Sequence, residues 1–387
     1  MDHLDREQLD ALLNDTGGPH VSIILPAPQR QLRVNGDSAS LRELVQSTDA
    51  ELVDNWLDAP AADRLLEPLH QLATDSHFTT GRRGGVAIYL SSVLFRVYRL
   101  PECVQTRLVV APGFYLRPLL PALEQNPQFH LLTLSDEGAS LYASSATAMQ
   151  PVEELPLSIP RHRGWTATTS QRSTSQTSDA DPATRPTATL TEVSPEASEE
   201  GTTLLRSELE EIEEAVSAYL AKRRGILILA GVDRLTERYK EVSNFDRLAT
   251  ATISGNVDHL TPAQLFQHAM PIAVGQAEQQ RQADAMAIRE RQLGPLETDA
   301  EQILRAAYQN RVQILFFDVE ANLDGHFCPE TLTLQPAQPT SPGHPNQRSD
   351  DLIEAAAVET LRRGGRVHAV TADEMPFETT LVAALKA

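Results

Sequence analysis

Residues 204–230 read LLRSELEEIEEAVSAYLAKRRGILILA and contain the two kinds of element from which the fold is built. An apolar stripe with helical spacing, beside an acidic face, predicts a helix over 204–223 and consists of Leu205, Leu209, Ile212, Val216 and Leu220. Arg223, Arg224 and Gly225 end this helix, as positive charge followed by glycine commonly does. The apolar run ILILA that follows predicts a buried strand. The stretch therefore indicates a mixed α/β protein.

Composition narrows the class of protein. The chain has 387 residues, and 33 Lys and Arg stand against 53 Asp and Glu, which gives a net charge of −20. Hydrophobic residues make up 41%, enough for packed cores, so a wholly disordered or fibrous chain is excluded. At roughly 150 residues per domain, the length predicts two or three domains. The charge argues against a surface that binds nucleic acid all over, but it allows a local basic patch.

The cysteine content, the first residues and the length of the apolar stretches predict the metal content and the cellular location of the protein. Cys103 and Cys328 are the only cysteines and cannot supply a four-thiolate zinc site, so we expect reduced thiols, no metal and no cofactor. The first residues, MDHLDREQLD, are acidic and do not resemble a signal peptide. No stretch reaches the roughly 18 apolar residues of a membrane span. We therefore expect a cytoplasmic protein with no membrane partner.

The first third of the chain alternates helix and strand patterns. Period and composition predict helices over 4–13, 41–57 and 61–74, a buried strand at 21–26, and a hairpin of 86–90 with 94–100. A second hairpin, 129–134 with 139–143, is predicted around the turn residues 135–138.

Composition changes sharply over 160–200, where Ser, Thr, Ala, Pro and charged residues dominate. No large aliphatic or aromatic residue occurs between Trp165 and Leu190. Such a segment cannot bury enough apolar surface to offset its ordering entropy. It predicts a long mobile loop inside a domain, because folded patterns resume after it.

The C-terminal third again alternates helix and strand patterns. Helices are predicted over 261–292, 298–310 and 349–363, with a short terminal helix over 379–385. Strands are predicted at 312–318 and 367–370. Thr261 is a good N-cap for the first of these helices, and Pro262 suits its first position. This order of elements predicts a small α/β sandwich.

Several segments, taken in chain order, carry a family resemblance. They are VSIILP, GVAIYL, FRVYRL, FYLRPLLPALEQNPQFHLLTLSDEGASLY, LILAGVDRLTERYKEVSN, ISGNVDHLTP and ETLRRGGRVHAVTADEMP. The set resembles the bacterial relatives of archaeo-eukaryotic class I release factors, which are also similar to the ribosome-rescue protein Pelota. The resemblance covers nearly the whole chain, and its segments are collinear.

The resemblance implies a three-domain architecture. An N-terminal α/β domain is expected over 1–126. A ribonuclease-H-like middle domain with the mobile loop 160–200 is expected over 127–260. The third domain, over 261–387, is an α/β sandwich similar to ribosomal proteins that bind kinked RNA.

The implied chemistry is hydrolysis of the ester that joins a peptide to tRNA, which release factors perform with a Gly-Gly-Gln tip. This sequence contains no Gly-Gly-Gln, and its Gly275-Gln276 lies in a predicted helix. Gln171 and Gln176 in the predicted loop are the candidate catalytic residues, because a glutamine amide positions water. An inert insertion is the alternative interpretation of the loop. Whether the protein is a peptidyl-tRNA hydrolase therefore stays open.

Two groups of residues are candidates for RNA binding, because arginine and aromatic side chains suit phosphates and stacked bases. The loop supplies Arg161, Arg163, Trp165 and Arg172, and the end of the helix over 349–363 supplies Arg362, Arg363 and Arg366. The alternative for the second group is simple compensation of the helix dipole.

Three functions are compatible with these patterns. The first is a translation-associated factor that binds the ribosome or tRNA. The second is a non-catalytic interaction protein that kept the fold, lost the tip and binds a protein partner through its acidic surface. The third, an unrelated small-molecule enzyme, is favoured by no motif: the sequence has no Walker, dinucleotide or Gly-x-Ser-x-Gly pattern. His326 and Cys328 near Asp318 suggest a metal only weakly, since three such residues in a loop are usually incidental.

Overall fold

The computed structural model describes residues 4–26, 36–75, 78, 84–101, 104–135, 138–145, 147–153, 195–335 and 350–386. Their contacts divide the chain into two units. One unit consists of Met1–Pro127 together with Val274–Ala387, and the other is Gln128–Ala273. Each unit is described by itself below.

The N-terminal part of the first unit is an antiparallel sheet between helices. Its strands are β1 (His20–Pro26), β2 (Gly85–Leu90), β3 (Phe95–Leu100) and β4 (Arg107–Ala111). They lie in the order β3-β2-β1-β4, and β2 and β3 form the predicted hairpin. Its helices are α1 (Arg6–Asn14), α2 (Gly36–Asn55), α3 (Ala59–Thr74) and α4 (Leu120–Gln125), the last preceded by a 3-10 turn at Arg117–Leu119.

Both faces of this sheet are buried. Helices α2 and α3 cover one face, where Ile23 and Ile88 pack against Leu52 and Leu66. Helix α1 packs on the other face. A sheet covered on both sides explains why GVAIYL is apolar throughout rather than alternating, since all six residues of β2 are buried.

The second unit is a five-stranded mixed sheet. Its strands are β5 (Phe129–Ser135), β6 (Gly138–Ser144), β7 (Met149–Pro151), β8 (Ile226–Gly231) and β9 (Ile253–Ser254), in the order β7-β6-β5-β8-β9. β5 to β7 form an antiparallel meander, and β8 joins β5 in parallel. The helices are α5 (Pro195–Leu220), α6 (Asp233–Val242) and α7 (Pro262–Arg289). The division between the units falls inside α7.

The C-terminal part of the first unit is built around a second sheet. Its elements are β10 (Leu296–Glu297), α8 (Ala300–Tyr308), β11 (Val312–Asp318), β12 (Asp324–Cys328), β13 (Thr333–Gln335), β14 (Asp350–Asp351), α9 (Leu352–Arg362), β15 (Arg366–Val370) and β16 (Leu381–Leu385). The main sheet has the order β10-β16-β11-β15, and β12 lies between β13 and β14 in a smaller one. Helices α8 and α9 pack on one face of the main sheet, and Ile288 of α7 packs on the other.

The predicted terminal helix over 379–385 is wrong. Residues Leu381–Leu385 form β16, a fully buried strand that pairs with β11 on one side and with β10 on the other. Alanine and leucine favour helix locally, but two neighbouring strands supply hydrogen bonds and burial that outweigh this preference. The mixed α/β class is nevertheless confirmed.

A single hydrophobic cluster joins the two chain segments of the first unit. Leu9 and Tyr89 belong to the same cluster as Leu315, Phe317 and Ile353. The three-domain division at 126/127 and 260/261, and the ribonuclease-H-like character of the middle domain, stay predictions. In the part of the chain that the structure describes, no helix is long and apolar enough to cross a bilayer.

A buried ion pair also connects these two segments. The guanidinium of Arg117, whose side chain is 7% exposed, lies 2.7 Å from the carboxylate of Asp351. Its other terminal nitrogen donates to the carbonyls of Asp318 and Val319 at 3.1 Å, and also to that of Ala321. The charge is therefore buried with nearly all of its hydrogen bonds made, which is the condition for tolerating it.

Asp351 has a second task at the start of α9. Its other carboxylate oxygen accepts from the backbone N–H groups of Ile353 at 3.1 Å and Glu354 at 3.2 Å, so it is the N-cap of the helix. The hydroxyl of Tyr115 donates to the first oxygen, the one that Arg117 contacts, at 3.2 Å. One carboxylate thus begins a helix and neutralises Arg117.

The substitution Asp351→Ala should lower the free energy of unfolding by about 3–5 kcal/mol, because it leaves the Arg117 charge buried without a carboxylate. The matched control is Asp299→Ala, which removes the exposed N-cap of α8 and should cost about 1 kcal/mol. Urea unfolding followed by circular dichroism compares the two variants. Equal losses would show that the pair with Arg117 contributes nothing beyond capping.

Candidate nucleic-acid interface

The turn that follows α5 carries three consecutive cationic side chains, Lys222, Arg223 and Arg224, all of them exposed. This turn is called the cationic end of α5 below. Gly225 follows with φ +102°, a left-handed conformation that favours glycine. A Cβ on Gly225 would lie 2.7 Å from the carbonyl oxygen of Gln128. The glycine therefore permits a sharp turn directly into β8, which holds the cationic triplet at this edge of the sheet.

Arg247 closes the C-terminal end of α5 from a different part of the chain. One terminal nitrogen donates to the carbonyls of Arg223 at 2.9 Å and Gly225 at 3.1 Å, and the other donates to Leu220 at 3.2 Å. The last carbonyls of a helix have no partner within it and carry partial negative charge. The Arg247 guanidinium contacts the last of them, the carbonyl of Leu220, and two carbonyls of the turn that follows, so Arg247 is a positioning residue for the triplet.

Aromatic rings lie beneath two of these guanidinium groups. The Arg223 guanidinium carbon is 3.6 Å from the centre of the Tyr219 ring, and that of Arg247 is 4.8 Å from the Phe245 ring. Arg223 also donates to the carbonyl of Tyr219 at 3.0 Å. Stacking on a ring restricts the orientation of the planar guanidinium.

His130 on β5 reports the local positive field. The residue is 7% exposed, and its Nδ1 has no hydrogen-bond partner among the described residues. Burial lowers the pKa of His130 to about 4, and the charges of Arg223 and Arg247 act in the same direction. The imidazole is therefore neutral at pH 7, and an anion bound beside these arginines would raise its pKa.

Carboxylates occupy the neighbouring stretch of α5. A groove of about 650 Å³ is lined there by residues that include Glu210, Glu214 and Asp246. Glu213 at its base is buried and accepts from the hydroxyls of Tyr239 at 2.6 Å and Ser217 at 2.8 Å. Exposed carboxylates on α5 are thus followed by the cationic triplet in the turn after it, while Arg206 on the helix is paired with Glu210.

The loop residues predicted to act on RNA lie outside the described part of the chain. They are Arg161, Arg163, Trp165, Arg172 and the candidate catalytic residues Gln171 and Gln176. They stay predictions. Gly275-Gln276 lies inside α7, as predicted.

The predicted basic group at the end of α9 is largely committed to internal partners. Arg366 makes a two-fold contact with Asp284 at 2.8 and 2.9 Å, and Arg363 pairs with Glu359 at 2.7 Å. Arg362 donates to the carbonyl of Leu13 at 2.8 Å. RNA binding by this group stays a prediction, and these pairs reduce the positive charge that it presents.

Within the described residues, no group of three His, Cys, Asp or Glu side chains is placed to hold a metal ion. Cys328 is a free thiol. Cys103 lies outside the described residues.

Sequence reasoning assigned Arg223 and Arg224 only a capping role, left Lys222 out, and missed Arg247 and His130 as neighbours of the triplet. The available signal was three adjacent cations before a glycine in a chain of net charge −20. Arg247 gives no such signal, because its contact with α5 depends on the fold.

A family model matches the segment that contains this interface. Residues 128–311, just under half of the chain, match the model of Bacterial archaeo-eukaryotic release factor family 3. This segment is release factor-like. The resemblance indicated by the sequence is thereby confirmed, and the described interface lies wholly within the release factor-like segment.

Solved structures show distant similarity. An archaeal translation termination factor, aRF1, is 11% identical with a TM-score of 0.24, over 98% of this chain and 96% of that one. Archaeoglobus fulgidus Pelota is 12% identical with a TM-score of 0.27, over 78% of each chain. S. cerevisiae Dom34, described as a translation termination-like factor interacting with Hbs1, is 10% identical with a TM-score of 0.31, over 78% of this chain and 79% of that one. No curated protein matches the chain.

The substitution Arg247→Ala should lower the stability of the end of α5 by about 1–3 kcal/mol, because three carbonyls lose a charged donor. Arg224→Ala, at an exposed neighbouring position, should change it by less than about 0.5 kcal/mol. Hydrogen exchange measured by mass spectrometry on peptides from α5 and β8 gives the local opening free energy. Exchange that is no faster in Arg247→Ala than in Arg224→Ala would contradict the capping role.

His130 should make the second unit less stable in acid. Its folded pKa of about 4 lies below the usual 6.5, so the unfolded chain binds the proton more readily. The contribution of His130 to the free energy of unfolding should be fully present above pH 6.5 and should be lost as the pH drops toward 4, by about 3 kcal/mol in total.

NMR titration of labelled histidines checks this prediction. Arg223→Gln should raise the pKa of His130, whereas Arg234→Gln on α6 should leave it unchanged. A His130 pKa that does not respond to Arg223→Gln would show that the triplet does not create the local field.

Proposed function

We propose that this protein is a translation-associated factor of the cytoplasm that binds the ribosome or tRNA through the cationic end of α5. The observation that carries the proposal is the position of this cluster, which lies inside the segment matched by the release factor family model. Lys222 and Arg224 are exposed, with no carboxylate within ion-pair distance among the described residues. These side chains have the chemistry that phosphate recognition requires.

The charge distribution supports local rather than extended contact with RNA. A chain of net charge −20 is repelled by a polyanion at most of its surface. Binding then depends on a few cations at a defined place, held there by Arg247 and by the stacked ring of Tyr219. Such a contact favours one orientation on the RNA, because the acidic groove beside the cations repels phosphates.

We propose binding without hydrolysis as the primary role. The sequence has no Gly-Gly-Gln, and the one Gly-Gln pair is part of the continuous helix α7. Catalysis by Gln171 or Gln176 is retained as a finer hypothesis that a release assay tests.

A second candidate function is supported by the acidic groove along α5. Its carboxylates suit a cationic segment of a protein partner, and Glu213 gives it a rigid base through contacts with Tyr239 and Ser217. In that case the fold serves as a protein-interaction factor. Ribosome binding would then depend on the partner and not on the cations.

The double substitution Lys222→Gln with Arg224→Gln should weaken co-sedimentation with purified ribosomes by about tenfold or more at moderate salt, because two phosphate contacts are lost. The control is Arg234→Gln with Arg238→Gln on α6, which removes the same charge from another surface of the release factor-like segment. Raising the salt concentration should release the wild-type protein more steeply than the double variant. Equal binding of both double variants would reject the proposed interface.

Purified ribosomes also distinguish catalysis, binding without release, and binding through the loop. Ribosomes that carry peptidyl-tRNA are mixed with the wild-type protein and with Gln171→Ala, Gln176→Ala and a deletion of 161–185. Peptide release that either glutamine substitution abolishes would establish catalysis. Binding without release supports the proposed role, and loss of binding on deletion alone would assign the contact to the loop.

A further inference from the structure

The first unit contains a second pocket that the proposed function does not use. It has a volume of about 600 Å³ and is open to solvent. Its walls come from the loop between α1 and β1, from Trp56 just after α2, from Pro112 after β4 and from Arg362 at the end of α9. Elements distant in sequence therefore converge on one cavity, whose size is in the range of small-molecule sites.

Trp56 and Arg362 supply the two chemical groups that matter. Trp56 is half-buried and lines the pocket, so a large aromatic side chain forms part of its wall. Arg362 is 46% exposed at its side chain, and its Nη2 donates to the carbonyl of Leu13 at 2.8 Å. That bond anchors the guanidinium while other N–H groups stay available for an anion.

Arg362 is the cation of its neighbourhood with the least internal neutralisation. The carboxylate of Glu359 lies 3.9 Å from Arg362 but only 2.7 Å from Arg363. Arg363 therefore takes most of that negative charge and does not line the pocket. The net result is a positive group at the wall of the cavity.

The pocket is also lined by one carboxylate, that of Asp15. Asp15 is 3% exposed at its side chain and lies 3.5 Å from Nε2 of His20. It accepts from the N–H of Gly17 at 2.8 Å and from the hydroxyl of Ser91 at 2.6 Å. Burial opposes ionisation of Asp15, but these hydrogen bonds outweigh it and lower its pKa. Asp15 is therefore negatively charged at neutral pH, but its side chain is buried and bonded to donors inside the fold. Arg362 is far more exposed, so it is the charged side chain that a ligand in the pocket reaches first.

We propose that this pocket binds a nucleotide, with the base against the indole of Trp56 and the phosphate on the guanidinium of Arg362. A planar ring carrying an anionic group satisfies both walls at once, because aromatic stacking and a charge-assisted hydrogen bond are each favourable. The nucleotide is either free or the end of an RNA strand, since both present the same base and phosphate. The inference concerns residues outside the proposed RNA interface and does not depend on it.

Tryptophan fluorescence tests the proposal directly. The chain has two tryptophans, so Trp165→Phe makes Trp56 the sole reporter. Titration of this full-length protein with AMP should give a saturable change in emission. Adenosine should bind about tenfold more weakly, since it lacks the charged contact. No saturable change with AMP, or equal affinities for AMP and adenosine, would overturn the proposal.

Two matched variants locate the phosphate. In the same background, Arg362→Gln should weaken AMP binding to the level of adenosine, whereas the adjacent Arg363→Gln should leave it unchanged. The comparison of AMP with adenosine needs only the Trp165→Phe background and no arginine variant, so it remains decisive if Arg362→Gln fails to fold. Equal losses in both arginine variants would contradict the assignment of the phosphate to Arg362.

Two further arms identify the source of the nucleotide. A short single-stranded RNA with a terminal phosphate that binds as tightly as AMP indicates recognition of an RNA end. Binding of AMP with no binding of the oligonucleotide indicates a free nucleotide. The assay contains no ribosomes, so its failure does not touch the proposed RNA interface, and failure of that interface does not affect this result.

Discussion

Both units depend on the same interaction, a set of hydrogen bonds from an arginine guanidinium to backbone carbonyls. Arg117 donates to three carbonyls after β11 while it pairs with Asp351, and Arg247 donates to three carbonyls at the end of α5. In each case one planar cation satisfies several acceptors at once, as the fork of five N–H groups allows. Each guanidinium joins segments that are far apart in sequence, and it fixes where neighbouring functional side chains lie.

The same interaction explains how an acidic protein presents a usable cationic surface. With Arg247 occupied by the helix end, Lys222 and Arg224 are left to face solvent. At the end of α9 the outcome is different, because Arg366 and Arg363 are paired with Asp284 and Glu359. Two clusters of similar composition therefore differ in the charge they offer. Counting arginines does not distinguish them, since the difference lies in their partners: Glu359 is on the same helix as its arginine, and Asp284 is brought close by folding.

Local sequence patterns predicted best those helices and strands for which the apolar periodicity and the residues at the element's ends indicate the same structure. The hairpin of β2 and β3 and the helix α5 followed by β8 are examples, because apolar spacing and turn residues indicate the same structure. The terminal segment failed because its alanine and leucine residues favour helix while two neighbouring strands impose a strand on it. For the candidate site, the sequence predicted the types of side chain, arginine beside an aromatic ring, but placed them at other residues.

The amino-acid sequence by itself determined the mixed α/β class, most element types and the resemblance to release factors, because these follow from periodicity, turn chemistry and collinear motifs. Only the tertiary structure decided that residues near the two ends of the chain share one hydrophobic cluster. It also decided which cations are occupied by internal partners, and that Trp56 and Arg362 line one pocket. Most of these outcomes depend on contacts between segments that lie far apart in the chain, and local sequence patterns do not show which distant segments meet.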